Sequence, residues 1–233
     1  MNAFDYLNKN YLLNVPIIEA IERGEAVLES AFEWGVAANH KDGMLLLSLD
    51  KAEYLEYFKD KINAGVLTVF YGMKENDDIS KINPLVSKTV PCYQFVYTKK
   101  QPPPVEYKAD YRLLDEDFTD IVFKNYSRAR DSEYIKKLLR RKWIYGAFLG
   151  KELVGFVGRH SDGSMGLLEV LPKYRRMGLG RDLEHFIIGV VLDEKKTPYA
   201  HIVLGNEVSM CLQNSVEGVE QANRLVTWFR ADV

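Results

Sequence analysis

The sequence predicts an α/β protein built on a mixed sheet, and three observations predict it. Short β-branched and aromatic runs alternate with segments of helical periodicity along all 233 residues. In the second half, hairpins turn at Gly150-Lys151 and at Ser161 to Gly163, and a strand–helix–strand crossover follows them. Hairpins pair antiparallel and a crossover pairs parallel, so one sheet must hold both kinds of neighbour, with helices on its faces.

The elements follow in order. Pro16 to Gly24 reads as a short helix with proline near its start and glycine at its end. Gly43 to Leu49 reads as a strand. Asp50 to Ile62 reads as an amphipathic helix with Asp50 as its N-cap. "VLTVFYG" (66–72) and "CYQFVYT" (92–98) read as strands, with Cys92 in the core. "KKQPPPVEYK" (99–108) holds three consecutive prolines, which neither a helix nor a central strand tolerates. The chain therefore divides into an N-terminal α/β module (1–100), a proline-rich linker (101–108) and a C-terminal domain (109–233).

In the C-terminal domain, Tyr111 to Asp117 runs from strand into a helix capped by Asp115. Asp131 or Ser132 caps the helix after it. Residues 143–160 form a hairpin, and a third strand follows Gly163. A helix starts near Leu179. Tyr199 to Gly205 is a strand, Asn206 caps a helix, and Arg224 to Phe229 is the last strand. The order is β-α-α-β-β-β-α-β-α-β.

Composition excludes several classes. The 31 basic and 33 acidic residues nearly cancel, so bulk charge gives no support for a nucleic-acid partner or a membrane surface. Any basic site must be local. Cys92 and Cys211 are far apart and have no metal-ligand spacing, so no metal is expected. Cys211 is expected to be a buried, inert thiol. The first residues lack a basic segment followed by an apolar one, and no apolar run reaches the ~18 residues of a membrane span. A soluble, cytoplasmic protein is the expectation.

One stretch carries chemistry: "LEVLPKYRRMGLGRDLEHF", Leu168 to Phe186. An apolar strand ends at a proline. Arg175, Arg176 and Arg181 surround Gly178 and Gly180, and then a helix begins. Its apolar stripe is Leu179, Leu183, Phe186, Ile187, Val190 and Val191. The first N–H groups of a helix have no partner within it, and they lie at the positive end of its dipole. Glycine lets a bulky group approach the main chain. Together these features fit an anion such as a pyrophosphate. The spacing is neither that of a Walker loop nor that of a Rossmann fingerprint.

Arg175-x-x-Gly178-x-Gly180 resembles the [RQ]-x-x-G-x-[GA] signature of the GNAT superfamily of acyl-CoA-dependent N-acyltransferases. The order of elements from about Tyr111 to Phe229 resembles it too. "LPKYRRMGL" and "NEVSMCLQNSVEGV" are most similar to the glycine N-acyltransferase and FR47-like branch. The resemblance covers the last half of the chain. It implies a GNAT-like fold there, and by analogy a degenerate GNAT-like module in the first half. It further implies acetyl-CoA, or another acyl-CoA, as acyl donor and a small amine such as an amino acid as acceptor, in a monomer or homodimer. Main-chain N–H groups of Met177, Gly178, Leu179, Gly180 and Arg181, with Arg175 and Arg176 beside them, would bind the pyrophosphate. Leu168 and Val170 would pair with the pantetheine arm as an added strand would, two central parallel strands would splay to admit it, and Asn206 would contact it or cap its own helix.

Two departures touch the proton chemistry. Many GNAT enzymes carry a glutamate six residues before the position of Val170, where this chain has Ser164. Many carry a tyrosine seven residues after the asparagine, where this chain has Gln213. Ser164 could hold a water. Glu169 is the nearest carboxylate to the thioester site. Strict alternation puts it on the face opposite Ser164, and a bulge, expected by the resemblance, would change that. The plain alternative pairs Glu169 with Arg175 or Arg176. His160 and Asp162, at the turn, could relay a proton through water. Direct attack needs no covalent intermediate. Two rival functions are a coenzyme A-binding module without activity and a protein-modifying acetyltransferase.

Overall fold

The computed structural model describes residues 2–126 and 131–232. Helices α1 (Ala3–Leu7) and α2 (Tyr11–Glu22) precede β1 (Ala26–Phe32), β2 (Gly35–His40) and β3 (Met44–Leu49). A 3-10 segment (Ala52–Phe58) and α3 (Lys59–Asn63) lead to β4 (Leu67–Met73), α4 (Ile79–Ile82) and β5 (Thr89–Tyr97). Then come β6 (Asp110–Leu113), α5 (Thr119–Asn125), α6 (Ser132–Arg140), β7 (Ile144–Leu149), β8 (Glu152–Arg159) and β9 (Met165–Val170). Helix α7 (Leu179–Asp193), β10 (Tyr199–Val203), α8 (Glu207–Asn214), β11 (Val219–Gln221) and β12 (Leu225–Phe229) complete the chain. This is a mixed α/β fold. Among the described residues no helix is long and apolar enough to cross a membrane.

The chain divides into two compact units. The first comprises Met1–Val96, His201–Met210 and Glu220–Val233. Its strands lie in the order β1-β2-β3-β4-β12-β5. Strands β1 to β3 are antiparallel, β3 and β4 are parallel, and β12 runs antiparallel to both β4 and β5. Every residue of β3 is buried, because its two faces meet separate cores. Leu46, Val69 and Tyr71 pack with α1 and α2. Leu45, Leu47 and Phe70 pack with Leu55, Phe58 and Ile62.

Helix α2 starts at Tyr11, five residues before the expected proline, and holds Pro16 in its interior. A proline has no N–H to give the carbonyl of residue i−4. Here that carbonyl belongs to Leu12, and the buried Gln94 amide donates to it and to the Leu13 carbonyl. Asp50 is not an N-cap. Its carboxylate accepts the Tyr6 hydroxyl at 2.9 Å, and the turn opens after Lys51.

The second unit comprises Tyr97–Ala200 and Cys211–Val219. Strands β6 to β9 form an antiparallel meander, and β10 joins β9 in parallel at one register, Ala200 opposite Met165. Leu114, Val122, Ile135, Leu138, Phe156 and Leu167 form the core beneath α5 and α6. Asp115 and Asp131 cap their helical segments as expected. Helix α7 packs on the other face, where a Cβ on Gly155 would lie 3.2 Å from Leu183. The Cys211 thiol is exposed, against the expectation of burial. Helix α8 turns only Gln213 fully inward, and Cys211 falls off that line.

Candidate functional site

The site is built around the end of β9 and the start of α7. Strand β9 carries a bulge. Gly158 pairs with Gly166, while Phe156 pairs with Glu169, so β9 has one residue more than β8 over this stretch. Leu167 takes up the distortion with φ of 49°. The extra residue resets the alternation, so Ser164, Gly166 and Glu169 share the face that Phe156 turns towards α5 and α6. Beyond Met165, the edge of β9 opposite β8 has no strand paired to it among the described residues. Leu168 and Val170 lie on this stretch.

After β9, a 3-10 turn (Pro172–Tyr174) leads into the basic loop. Arg176 has φ of 68° and Gly178 φ of 84°, two left-handed residues that curl the chain before α7. The amides of Tyr174 and Arg175 bond back to Leu171 and Pro172, and that of Arg181 donates to the Gly178 carbonyl at 3.2 Å. Between them, the amides of Arg176, Met177, Gly178, Leu179 and Gly180 have no partner among the described residues, and no side chain caps the helix. A Cβ on Gly180 would meet only Val170 Cγ2, at 4.0 Å. Packing does not demand glycine there, and its absent side chain leaves room for a ligand.

Arg175 folds back, its Nε donating to the Val170 carbonyl at 3.1 Å. It forms no ion pair with Glu169, and Arg176 and Arg181 form none with any carboxylate among the described residues. Lys108, from the proline-rich segment, brings another cation. Its Nζ donates to the Met177 carbonyl at 3.0 Å, and its backbone N–H donates to the buried Asp182. No local pattern in the sequence marks Lys108, because it reaches the loop through tertiary contact.

Glu169 is half-buried. Burial pushes its carboxyl above the usual range, and the Arg175 charge pulls partly against that. Ser164 is 2% exposed, and its hydroxyl donates to the Asp162 carboxylate at 2.8 Å, tying the β8–β9 turn. Gln213 is 3% exposed, and its amide donates to Glu184 Oε1 at 2.7 Å inside the unit. Both departures are thus occupied by structural bonds. The Asn206 carboxamide accepts from the Ser209 N–H at 3.3 Å, the helix-capping role. It belongs to the residues of the first unit.

Comparison with known proteins follows the same outline. Residues 144–226 match the family described as FR47-like protein. No curated protein matches the chain. Among solved structures, a Drosophila protein superposes with a TM-score of 0.66 at 17% identity, over 99% of this chain and 90% of that one. An acetyltransferase from the GNAT family of Colwellia psychrerythraea gives 0.54 at 13% identity, over 99% and 98%. A GCN5-related N-acetyltransferase-like protein from Streptococcus suis gives 0.52 at 13%, over 99% and 100%. At such identities the likeness is one of fold.

Proposed function

We propose that this chain, whose residues 144–226 match the FR47-like family and whose fold is that of GNAT acetyltransferases, moves an acetyl or other acyl group from coenzyme A to the amine of a small molecule such as an amino acid. One observation carries the reading. Five successive amides, Arg176 to Gly180, stand without a partner among the described residues at the positive end of a 15-residue helix.

Acyl-CoA supplies an acyl group activated as a thioester. The residues present fit it: the free amides and the cations of Arg176, Arg181 and Lys108 suit a pyrophosphate, and the unpaired edge of β9 suits an amide-bearing arm. Glu169, on the face towards α5 and α6, suits the positive amine of the acceptor. The attacking amine must be neutral, so it has to lose a proton on this face. The structural bonds of Ser164 and Gln213 favour, as a second reading, a coenzyme A-binding module that releases no thiol.

Gly180→Leu tests the proposal, because the fold has space for the side chain and the ligand would not. Titration calorimetry with acetyl-CoA should show an affinity loss of about 100-fold, or ~2.7 kcal/mol, with an unchanged thermal midpoint. Wild-type affinity in this variant would overturn the reading.

A further inference from the structure

A second proton-accepting group stands on the same face of β9. The hydroxyl of Tyr126, at the end of α5, lies 3.2 Å from His160 Nε2. The hydroxyl of Tyr134, on α6, lies 2.9 Å from His160 Nδ1. The Tyr134 and His160 rings are 16° from parallel, with centroids 6.3 Å apart. The imidazole lies so close over β9 that a Cβ on Gly166 would fall 2.5 Å from Nε2. Gly166 shares its face with Glu169 and with Ser164, whose hydroxyl is already engaged.

A hydroxyl both donates and accepts, so an imidazole with one at each nitrogen can be neutral or charged without leaving a ring atom unpaired. Two carboxylates would instead hold it charged. Among the described residues, the titratable side chains bonded to its ring are Tyr126, at the end of α5, and Tyr134 from α6, with the Asp162 charge of the turn acting on Tyr134, and β9 passes beneath the ring at Gly166. Burial, and then the Asp162 charge, hold the Tyr134 proton far more firmly than usual, so that hydroxyl remains protonated.

We propose that Tyr126 and His160 are the route by which the acceptor amine loses its proton. The amine N–H gives its proton to the Tyr126 oxygen, and the Tyr126 hydroxyl gives its own to Nε2. Tyr126 ends neutral and His160 ends as an imidazolium whose Nδ1–H donates to Tyr134. Tyr126 touches the substrate, and His160 acts through it. The inference rests on the acyl-transfer reading above and assigns its proton step, leaving Glu169 to draw in the amine.

The test is thiol release from acetyl-CoA with a pool of the common amino acids, from about pH 5.5 to about pH 9. Tyr126→Phe keeps the ring and should fold. It should lower kcat about 100-fold, leave the KM for acetyl-CoA unchanged and remove the fall in rate on the acid side. His160→Ala should lose as much and recover part of it with free imidazole. Wild-type kcat and acid limb in Tyr126→Phe would overturn the route. So would an unmutated protein that binds acetyl-CoA by calorimetry yet releases no thiol with the pool, although the anion loop would then survive. A protein that binds no acetyl-CoA would sink the acyl-transfer reading itself.

Discussion

The two units share a connectivity and differ in what they do with it. Each has three antiparallel strands (β1–β3, β7–β9), a helical crossover and a fourth strand parallel to the third. In the first unit the parallel pair is closed, from Met44 opposite Leu67 to Ser48 opposite Tyr71. In the second it meets, among the described residues, at Ala200 and Met165. The segments after the third strand differ in the same sense. After β3, the Asp50 carboxylate is taken by Tyr6 and its carbonyl by Arg224, and Ala52, Leu55 and Phe58 sink into the core. After β9, Arg175 to Gly178 stay exposed, and the amides from Arg176 to Gly180 have no partner among the described residues. One frame is therefore closed by its own groups in the first unit and left open at this point in the second.

The comparison can be broken most severely at Gly72. It has φ of 130°, and a Cβ there would fall 2.3 Å from the Leu49 carbonyl, at the very point where β3 meets the crossover. Backbone cannot yield cheaply. Gly72→Ala should lower unfolding stability by about 3 kcal/mol, from strain plus steric overlap, read by urea titration. A loss below about 1 kcal/mol would show that the closed pair is loosely held.

How much of this was legible beforehand follows the range of the forces involved. The helix caps Asp115 and Asp131, the turn glycines and the basic loop are local, and residue types and spacing marked them. Strands β1 and β2 carry no such local mark. "AVLESAF" and "GVAANH" lack strong β character and are held by their neighbours on the sheet. The early start of α2 was hidden because Pro16 is excused by Gln94, 78 positions away in number and supplied by β5. Likewise Lys108 and the Tyr126–His160–Tyr134 cluster arise from packing between distant segments. The bulge in β9 came from the resemblance alone, since alternation by itself put Glu169 on the wrong face.

The crossovers also differ in what they bury. Helix α3 buries Ile62, whereas α7 buries a carboxyl, Glu184, bonded to Gln213. Burial pushes the Glu184 pKa up to about 7. The unfolded chain releases this proton at an ordinary carboxyl value, so between about pH 4.5 and pH 7 the folded state holds more protons, and stability falls as pH rises. Glu184→Gln removes the titration. Its advantage over wild type should grow from pH 5 to pH 8 by on the order of 2 kcal/mol, read as the difference in urea midpoints. A difference constant with pH would mean that water or a cation reaches the carboxyl.

The smallest effect sharpens the contrast most finely, because it separates strain from function at one residue. Arg176 is a left-handed, exposed arginine with no ion pair among the described residues. Nothing in the fold holds its charge, and the backbone conformation costs about 1 kcal/mol in an ordinary residue. Asparagine tolerates that conformation better. Arg176→Asn should therefore keep or slightly raise the thermal midpoint while weakening acetyl-CoA binding about fivefold at low salt, with the difference shrinking as salt screens the lost charge. A drop in midpoint with unchanged affinity would reverse the assignment and make the residue part of the frame, as the segment after β3 is.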